Sequence, residues 1–393
     1  MWATKGAPLA AQHGPGAELQ WLLKTLHNWL VLEAYPRWAQ QGYDRHYGGF
    51  HELLGEAGPI GGAPRRARVQ VRQIYAFARA NQLGWRGDAT KLVAGGWEYF
   101  FQHYRRADGL YRTVVAPDGT VLDDRAFLYD QAFVLLALAE SQRLKGPTST
   151  ALAVARELRG RLYELLKCDG PGFKSGLPEG LPLLANPHMH LLEAVQSWAL
   201  IDADPGWQSM ADEIVGLALD RLIDPDLGVV FERFDGQWRV LSEDSDRLLE
   251  PGHQYEWAWL LLRARGGSPQ ARRIDAALRL VDFGETHGIR GGVAVYSLHP
   301  DLRVHDGQAR LWAQTERLKA ALSLARYHHD SRFWHIATLA AQSLLRYLDT
   351  AASGLWHDRL SREGKFVPEP APASDFYHLV VAIAEGLLDR EAA

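Results

Sequence analysis

Apolar residues recur along most of the chain at positions i, i+3, i+4 and i+7, the spacing that gathers them on one face of an α-helix. Alanine, leucine, arginine and glutamate dominate these stretches, and such a composition suits helix. The pattern predicts twelve amphipathic helices, with ends placed to within a few residues, at 17–41, 64–83, 88–106, 124–145, 149–167, 189–203, 206–223, 250–266, 269–288, 308–328, 331–350 and 373–389.

Long loops alternate with very short turns between these helices, and each long loop repeats a glycine followed by an apolar or aromatic residue. Several of the loops resemble short hairpins, such as 108–122 with an Asp-Gly turn at Asp118 and 231–240 with one at Asp235. The repeat recurs about every 60 residues, and its first glycines are Gly48, Gly109, Gly172, Gly228, Gly291 and Gly354.

Antiparallel helices joined in this alternation send every long loop to the same end of the molecule. We therefore predict an all-α fold, an (α/α)6 barrel with short β-hairpin loops at its mouth, in a single catalytic domain over residues 1–393. Residues 1–16 are expected to form a flexible N-terminal segment. An open solenoid of helical hairpins is the alternative, and the closed barrel is favoured because no polar capping repeat is visible.

Composition narrows the class of ligand. The chain carries 43 basic and 47 acidic side chains, a formal net charge of -4, without the basic stripe that binds nucleic acid. No uncharged apolar run reaches the roughly 18 residues of a membrane helix. The single cysteine, Cys168, excludes an internal disulfide and fits a cytoplasmic protein. We expect a small polar substrate, no nucleic-acid or membrane partner, and a monomer or homodimer.

Candidate chemistry lies near the starts of the even-numbered helices, which follow the long loops and therefore begin at the predicted mouth. Convergent polar groups in a concave site are typical of ligand binding. The candidates are Arg72, Tyr129, Asn186, His190, Glu193, Glu250, His253, Glu256, Trp312, Glu316, Asp375 and His378.

Some of these residues also have a structural interpretation. His190 and Glu193 lie one helical turn apart and could simply pair with each other. His253 is flanked by Glu250 and Glu256, each three residues away, so both carboxylates could approach it on a helix. Carboxylates that hold an imidazole are also a common way to orient an acid–base histidine.

Metal and nucleotide sites find little support in the sequence. His188 and His190 lie two residues apart, so a helix would point them towards different faces. The HExxH, GxGxxG and phosphate-loop motifs are absent. We therefore expect no metal and no other cofactor.

The motifs around the candidate residues resemble those of the N-acylglucosamine 2-epimerase family over about residues 20–390. They are, in order, YGGFHE, VQVRQIYAFA, LYDQAF, NPHMHLLEA, GHQYEWAWLL, RLWAQTE and DFYH. The resemblance implies an (α/α)6 barrel that interconverts aldoses and ketoses, or epimerises C2 of a sugar, without metal.

One position favours isomerisation within this family. The epimerases of N-acylglucosamine and cellobiose usually have an arginine three residues after the last histidine of the motif, where this chain has Val381. In this the chain looks more like the bacterial mannose isomerases and sulfoquinovose isomerase. The resemblance therefore implies D-mannose–D-fructose isomerisation, or that of D-lyxose and D-xylulose, with C2 epimerisation of a free sugar as the alternative.

The resemblance also implies roles for the candidates. His378 takes the C2 proton of an open-chain aldose, His253 assists ring opening while Glu256 orients it, and Arg72 stabilises the enediolate oxygens. The implied substrate-binding residues are His190, Asn186, Tyr129, Trp312, Glu193, Glu250, Glu316 and Asp375. Three further arginines beside Arg72 could meet a phosphate or sulfonate, namely Arg65, Arg66 and Arg68.

Two other functions stay open on the sequence alone. Glycosidases are also built on (α/α)6 barrels and need two carboxylates about 5–10 Å apart. Asp130, Glu250 and Glu256 are the candidates for such a pair. A sugar-binding protein without catalysis would show affinity but no turnover.

Overall fold

The computed structural model describes residues 16–145, 149–178, 180–328 and 330–387. The segment 1–16, for which flexibility is predicted, lies outside these ranges except for its last residue. Within them the chain forms twelve long helices in the predicted order, and none of these helices is long and apolar enough to cross a membrane. They are α1 Ala17–Trp29, α2 Ala67–Ala80, α3 Ala89–Tyr104, α4 Leu128–Lys145, α5 Ser149–Leu165, α6 Ala185–Ala199, α7 Pro205–Leu217, α8 Pro251–Arg263, α9 Gln270–His287, α10 Leu311–His328, α11 Ser331–Leu348 and α12 Ser374–Gly386.

Two outer helices continue beyond these bounds through wider turns. Helix α1 runs on through π-helical turns at Leu30–Ala34 and Trp38–Gly42, and α7 through one at Ala218–Leu222. The predicted end of the first helix near residue 41 is therefore correct, although its last turns are not α-helical. Helix α6 starts four residues earlier than predicted, at Ala185.

The even-numbered helices form a closed inner ring. Each packs against the next even helix, and α12 packs against α2, which closes the circle. The odd helices cover this ring from outside, each against an even neighbour. The inner helices are consequently buried on all sides: in α10, every residue over 311–325 is buried. This part of the amphipathic prediction is wrong, because a helix enclosed by neighbours has no solvent face to keep polar.

Short strands lie in the loops at the mouth. Their bounds are β1 Leu53–Gly55, β2 Gly58–Pro59, β3 Arg65–Arg66, β4 Val114–Val115, β5 Val121–Asp123, β6 Ala126–Phe127, β7 Gly176–Leu177, β8 Leu183–Leu184, β9 Arg233–Phe234, β10 Ile289–Arg290, β11 Val293–Ala294, β12 Ser297–Leu298, β13 Val304–Asp306, β14 Ala309–Arg310, β15 Arg359–Leu360 and β16 Ala371–Pro372. The two predicted hairpins are confirmed, as β4 paired with β5 and as a bridge between Phe234 and Val240.

These strands form a belt around the mouth. The strand just before each inner helix pairs with the loop of the following module: β3 with β4, β6 with β7, β8 with β9, and β14 with β15. A single bridge between Leu249 and Leu298 takes this place before α8. Before α12, β16 pairs with β1 near the start of the described chain, so the belt closes on itself as the helix ring does.

The repeated glycines mark turns that need a left-handed backbone. All six first glycines of the repeat have positive φ, from 58° at Gly291 to 84° at Gly109. Side chains other than hydrogen are disfavoured there because Cβ crowds the neighbouring carbonyl. The glycines that recur about every 60 residues in the sequence therefore mark a turn of the same backbone conformation in each module.

A buried side chain, four times an amide and once an imidazole, fastens five of the six turns to the inner helix that follows. Gln131, the fourth residue of α4, accepts a hydrogen bond from the backbone N–H of Tyr111 at 2.9 Å and donates one to the carbonyl of Tyr111 at 2.8 Å. His188 takes the equivalent place in α6 and accepts from the N–H of Phe173 at 2.9 Å. The same clamp is made by Gln70 to Phe50, Gln254 to Val230 and Gln314 to Ala294.

We expect Gln131→Ala to destabilise the fold markedly. The substitution leaves a buried N–H and a buried C=O of Tyr111 without partners, at a cost of about 1–3 kcal/mol each. Thermal unfolding followed by circular dichroism should show a clearly lowered Tm. Gln237→Ala, which removes an exposed amide from a loop turn, is the control and should leave Tm unchanged. An unchanged Tm for Gln131→Ala would contradict the clamp.

Candidate active site

A cavity of about 240 Å³ opens at the mouth, where the inner helices begin. Ten of the twelve candidates line it, together with Tyr296, Ser374, Arg310, Arg66 and Arg68. The ten are Arg72, Tyr129, Asn186, His190, Glu250, His253, Glu256, Trp312, Asp375 and His378.

His378 has the environment of a neutral base. Its Nδ1 lies 2.8 Å from Oε1 of Glu316, and because a carboxylate accepts hydrogen bonds, this nitrogen is the one that carries the proton. Nε2 then keeps its lone pair. Burial, followed by the positive charges of Arg72 and Lys319, holds the pKa of His378 well below its ordinary value of 6.5.

His253 has the opposite environment. Its Nδ1 donates to Oε1 of Glu232 at 2.8 Å, and Oε2 of Glu250 lies 3.5 Å away. Burial disfavours the charged ring, but the two carboxylates outweigh burial and raise the pKa of His253 well above 6.5. On the other side Asn186 faces Nε2 at 3.1 Å, and its amide can turn its oxygen towards an imidazolium N–H.

The ring of Trp312 lies near both imidazoles. Its ring centroid lies 5.0 Å from that of His253 and 6.0 Å from that of His378. The cavity therefore has, beside one indole ring, an imidazole whose surroundings favour the charged form and another whose surroundings favour the neutral form. Groups whose environments push their pKa values apart are the signature of an acid–base pair.

Arg72 is held by neutral partners. Its Nη2 donates to the hydroxyl of Tyr129 at 2.6 Å, and its Nη1 to the carbonyl of Ser374 at 3.4 Å. The guanidinium carbon also lies 4.1 Å from the ring centroid of Phe133 and 5.2 Å from that of Tyr377. Because none of these groups neutralises the guanidinium, its charge is available to an anion in the cavity.

The prediction that Glu256 orients His253 is wrong. Glu256 lies one turn along α8, but its Oε1 faces Nδ1 of His190 at 3.6 Å, and the carboxylate that bonds His253 is Glu232. Glu232 precedes β9 and is brought to the site by the pairing of β8 with β9. Sequence spacing carries no signal for this contact, because the two residues meet through loop geometry.

Glu193 and Glu316 do not line the cavity. Glu193 accepts a hydrogen bond from the hydroxyl of Tyr377 behind His190, and Glu316 stands behind His378. The expected substrate contacts of these two glutamates are therefore corrected to support of the neighbouring side chains. His190 itself is neutral, since burial lowers its pKa to about 3.

Three carboxyl groups of the cavity resist ionisation. Burial and the nearby Glu316 raise the pKa of Glu256 to about 8. Burial and the adjacent Asp358 raise that of Asp375 to about 8, against the opposing charge of Arg310. Burial also raises the pKa of Glu250 to about 7. These groups can donate as well as accept hydrogen bonds near neutral pH.

The arginines are distributed differently from the prediction. Arg65 is buried and paired with Asp44, away from the cavity. Arg310 enters the wall from α10's preceding strand and bonds Asp358 at 2.9 and 3.1 Å. Four guanidinium groups line the cavity altogether, those of Arg66, Arg68, Arg72 and Arg310.

Three groups of side chains have the proximity to hold a metal ion, within the part of the chain that the structure describes. Their members are His190 with Glu193 and Glu256, Glu232 with Glu250 and His253, and Glu256 with Glu316 and His378. In the second, Nδ1 of His253 is already engaged by Glu232, and in the third Nδ1 of His378 is engaged by Glu316. The sequence-based expectation of a metal-free site stays a prediction.

We expect Glu232→Gln to lower the pKa of His253. The neutral amide removes the carboxylate that most favours the imidazolium, while Glu250 remains. NMR titration of the imidazole measures the change directly. Glu243→Gln, which neutralises an exposed carboxylate in the following loop, should leave the titration as in the unaltered protein. An unshifted His253 in Glu232→Gln would contradict the assigned role of Glu232.

Comparison with known proteins finds sugar isomerases and a sugar epimerase of similar sequence or fold. Mannose-6-phosphate isomerase of Rhizobium meliloti (strain 1021) is 41% identical over 369 residues, which are 92% of this chain and 95% of that one. D-mannose isomerase of Thermobifida fusca is 26% identical over 401 residues, covering 94% and 96%. Cellobiose 2-epimerase from Spirochaeta thermophila DSM 6192 superposes with a TM-score of 0.85 at 20% identity, covering 97% and 98%, which confirms the (α/α)6 barrel.

The family is shown by the match of a family model. The model for N-acylglucosamine 2-epimerase (GlcNAc 2-epimerase) matches residues 48–382, most of the length of the chain. This match and the 41% relative confirm the resemblance found in the motifs. The chain belongs to the N-acylglucosamine 2-epimerase family, and it is an isomerase or 2-epimerase of sugars.

Proposed function

We propose that the protein is an aldose–ketose isomerase that interconverts D-mannose and D-fructose through a cis-enediolate. The observation that carries the proposal is the pair of imidazoles beside Trp312, one held by Glu232 and the other by Glu316, whose surroundings shift their pKa values in opposite directions. The names of the 41% and 26% relatives, both isomerases, support it. We further propose that the barrel is a single catalytic domain and that the enzyme acts in the cytoplasm as a monomer or homodimer.

The reaction begins with ring opening. His253, as an imidazolium held by Glu232, donates a proton to the ring oxygen while the O1 proton passes to solvent water, which yields the open-chain aldehyde. Asn186, Tyr129 and His190 bind hydroxyl groups of the chain, and Trp312 packs against its apolar face. His253 regains its proton when the ketose ring closes.

His378 then takes a proton from C2 and delivers one to C1. Its unprotonated Nε2 takes the proton from C2, and the electron pair of that bond forms the C1–C2 double bond as charge develops on O1. Arg72 stabilises this charge, since its guanidinium has no carboxylate bonded to it in the described contacts. The proton of O2 passes to O1, the proton on Nε2 of His378 exchanges with solvent, and His378 then delivers a proton to C1, which gives the ketose.

The hydrolase alternative fits the geometry less well. Asp130 is fully buried and lies outside the cavity, which removes one of the three carboxylates considered for it. The other two, Glu250 and Glu256, face imidazoles at 3.5 and 3.6 Å. They therefore act on histidines more readily than on a glycosidic bond.

We expect the protein, treated with a chelator and incubated with D-mannose in deuterated water, to produce fructose with deuterium at C1. NMR follows the products. His378→Asn should lower kcat by about 10³-fold, since general-base catalysis contributes about 10²–10⁴. His335→Asn, an exposed histidine on α11, is the control. Glucose with deuterium at C2 would indicate an epimerase instead, and activity that returns upon adding a divalent ion would contradict the metal-free mechanism.

A phosphorylated sugar is the second candidate substrate. Four guanidinium groups line the cavity; those of Arg66, Arg68 and Arg310 are paired with carboxylates, and that of Arg72 is not. Burial also raises the pKa values of the lining groups Glu250, Glu256 and Asp375, so the cavity can accept an anion. The 41% relative is named for mannose 6-phosphate. If this candidate is right, kcat/KM for mannose 6-phosphate should exceed that for mannose by about tenfold or more.

The rates with the two substrates should then respond differently to ionic strength. We expect the advantage of mannose 6-phosphate to shrink as ionic strength rises to about 1 M, where the Debye length falls to about 3 Å. The rate with neutral mannose should change little, which makes it the internal control. Equal kcat/KM values for both sugars at low salt would exclude a phosphate subsite.

A further inference from the structure

A lysine is buried beneath the floor of the cavity. Lys319, on α10, is fully buried, and its Nζ lies 2.5 Å from Oε2 of Glu316 without good hydrogen-bond alignment. The ammonium also lies 3.8 Å from the ring centroid of Trp259. The other carboxylate oxygen of Glu316 accepts the hydrogen bond from His378. Lys319, Glu316 and His378 thus form a line from the barrel interior to the cavity.

We propose that Lys319 is a positioning residue that keeps Glu316 ionised and thereby keeps the proton of His378 on Nδ1. The proposal rests on the proposed function, in which Nε2 of His378 is the base. An ionised Glu316 can only accept a hydrogen bond, so Nδ1 must donate and Nε2 must face the cavity with a lone pair. A protonated Glu316 could instead donate to Nδ1, and the imidazole proton would move to Nε2.

The surroundings explain why a buried cation is needed. Glu193 and Glu256 also lie near Lys319, and three carboxyl groups in one dry region repel each other. Burial raises the pKa of Glu316, and the charge of Lys319 is the strongest influence against it. The titratable and charged groups that face this line are Arg72 from α2, His190 and Glu193 from α6, His253 and Glu256 from α8, Arg310 beside α10, and Asp375 and Tyr377 from α12.

The alternative is a lysine that serves packing alone. Buried ion pairs are often replaceable by apolar residues without loss of the fold. A packing role predicts a change in stability without a change in the protonation of His378. The two roles therefore differ in what they do to an imidazole that Lys319 itself does not contact.

The test is Lys319→Met, which keeps an unbranched chain and removes the charge. We expect kcat at pH 7 to fall by about 10²-fold, because the base loses its lone pair. KM should change little, since Lys319 lies outside the cavity. The lost activity should return as the pH rises and Glu316 ionises again, a titration absent from the unaltered enzyme. In the double variant Lys319→Met/Glu316→Gln this recovery should vanish, because no carboxyl group remains to ionise.

A spectroscopic readout makes the test independent of the substrate. The ¹⁵N shifts of His378 distinguish a proton on Nδ1 from one on Nε2, and Lys319→Met should change the first pattern to the second at pH 7. If the unaltered protein isomerised no sugar, the proposed function would fail while this measurement still decided the role of Lys319. Lys319→Gln, whose amide can donate to Glu316 without charge, repeats the measurement where the methionine variant does not fold.

The matched control lies two residues away. Arg317 on the same helix is buried and bonds Glu285 at 2.7 Å on the outer side of the ring. Arg317→Met should lower Tm but keep the pH profile and the His378 shifts of the unaltered protein. Unchanged kcat and shifts in Lys319→Met, or a loss of activity that is equal at every pH, would overturn the proposal.

Discussion

Every feature of the site depends on the closure of the strand belt around the mouth. Each inner helix is preceded by a strand or bridge that pairs with the next module, and the pairing of β16 with β1 joins the last module to the first. Because the belt fixes where each inner helix begins, six helix N-termini converge on one cavity. Each contributes partial positive charge from its unpaired N–H groups. The backbone alone thus gives the cavity a positive electrostatic potential, which would favour the enediolate anion of the proposed reaction.

Because the belt aligns the starts of the inner helices, residues at equivalent positions of these helices lie in or beside the same cavity. In five of the inner helices the sixth residue, and in α12 the fifth, either lines the cavity or contacts a residue that does. These positions hold different side chains: Arg72, Phe133, His190, Glu256, Glu316 and His378. The fourth residues, by contrast, are mostly glutamines that fasten the turns. The fourth residue of most inner helices therefore holds the fold together, while the residue at or near the sixth position differs from helix to helix and supplies the chemistry of the site.

The sequence was informative wherever the repeat applied. Helix order, mouth loops and most of the cavity residues follow from periodicity, because helical spacing converts directly into position on a ring. The sequence did not indicate the contacts that residues of one module make with residues of the next. Glu232 reaches His253 through the pairing of β8 with β9, and Asp358 reaches Arg310 through that of β14 with β15. Lys319 resembles an ordinary solvent-facing lysine in a helix, and its burial becomes visible only when neighbouring helices enclose α10 on every side.

The two histidines show why these cross-module contacts decide the chemistry. Each is buried, and burial alone would leave both imidazoles neutral. The difference lies in the charges that reach them: Glu232 and Glu250 face His253, whereas Arg72 and Lys319 act on His378, whose neighbour Glu316 is itself partly neutralised by Lys319. One ring is thereby kept as an acid and the other as a base at the same pH. If the two histidines had equal pKa values, both rings would tend to be protonated or both neutral at a given pH. Fewer molecules would then have His253 protonated and His378 neutral at the same time.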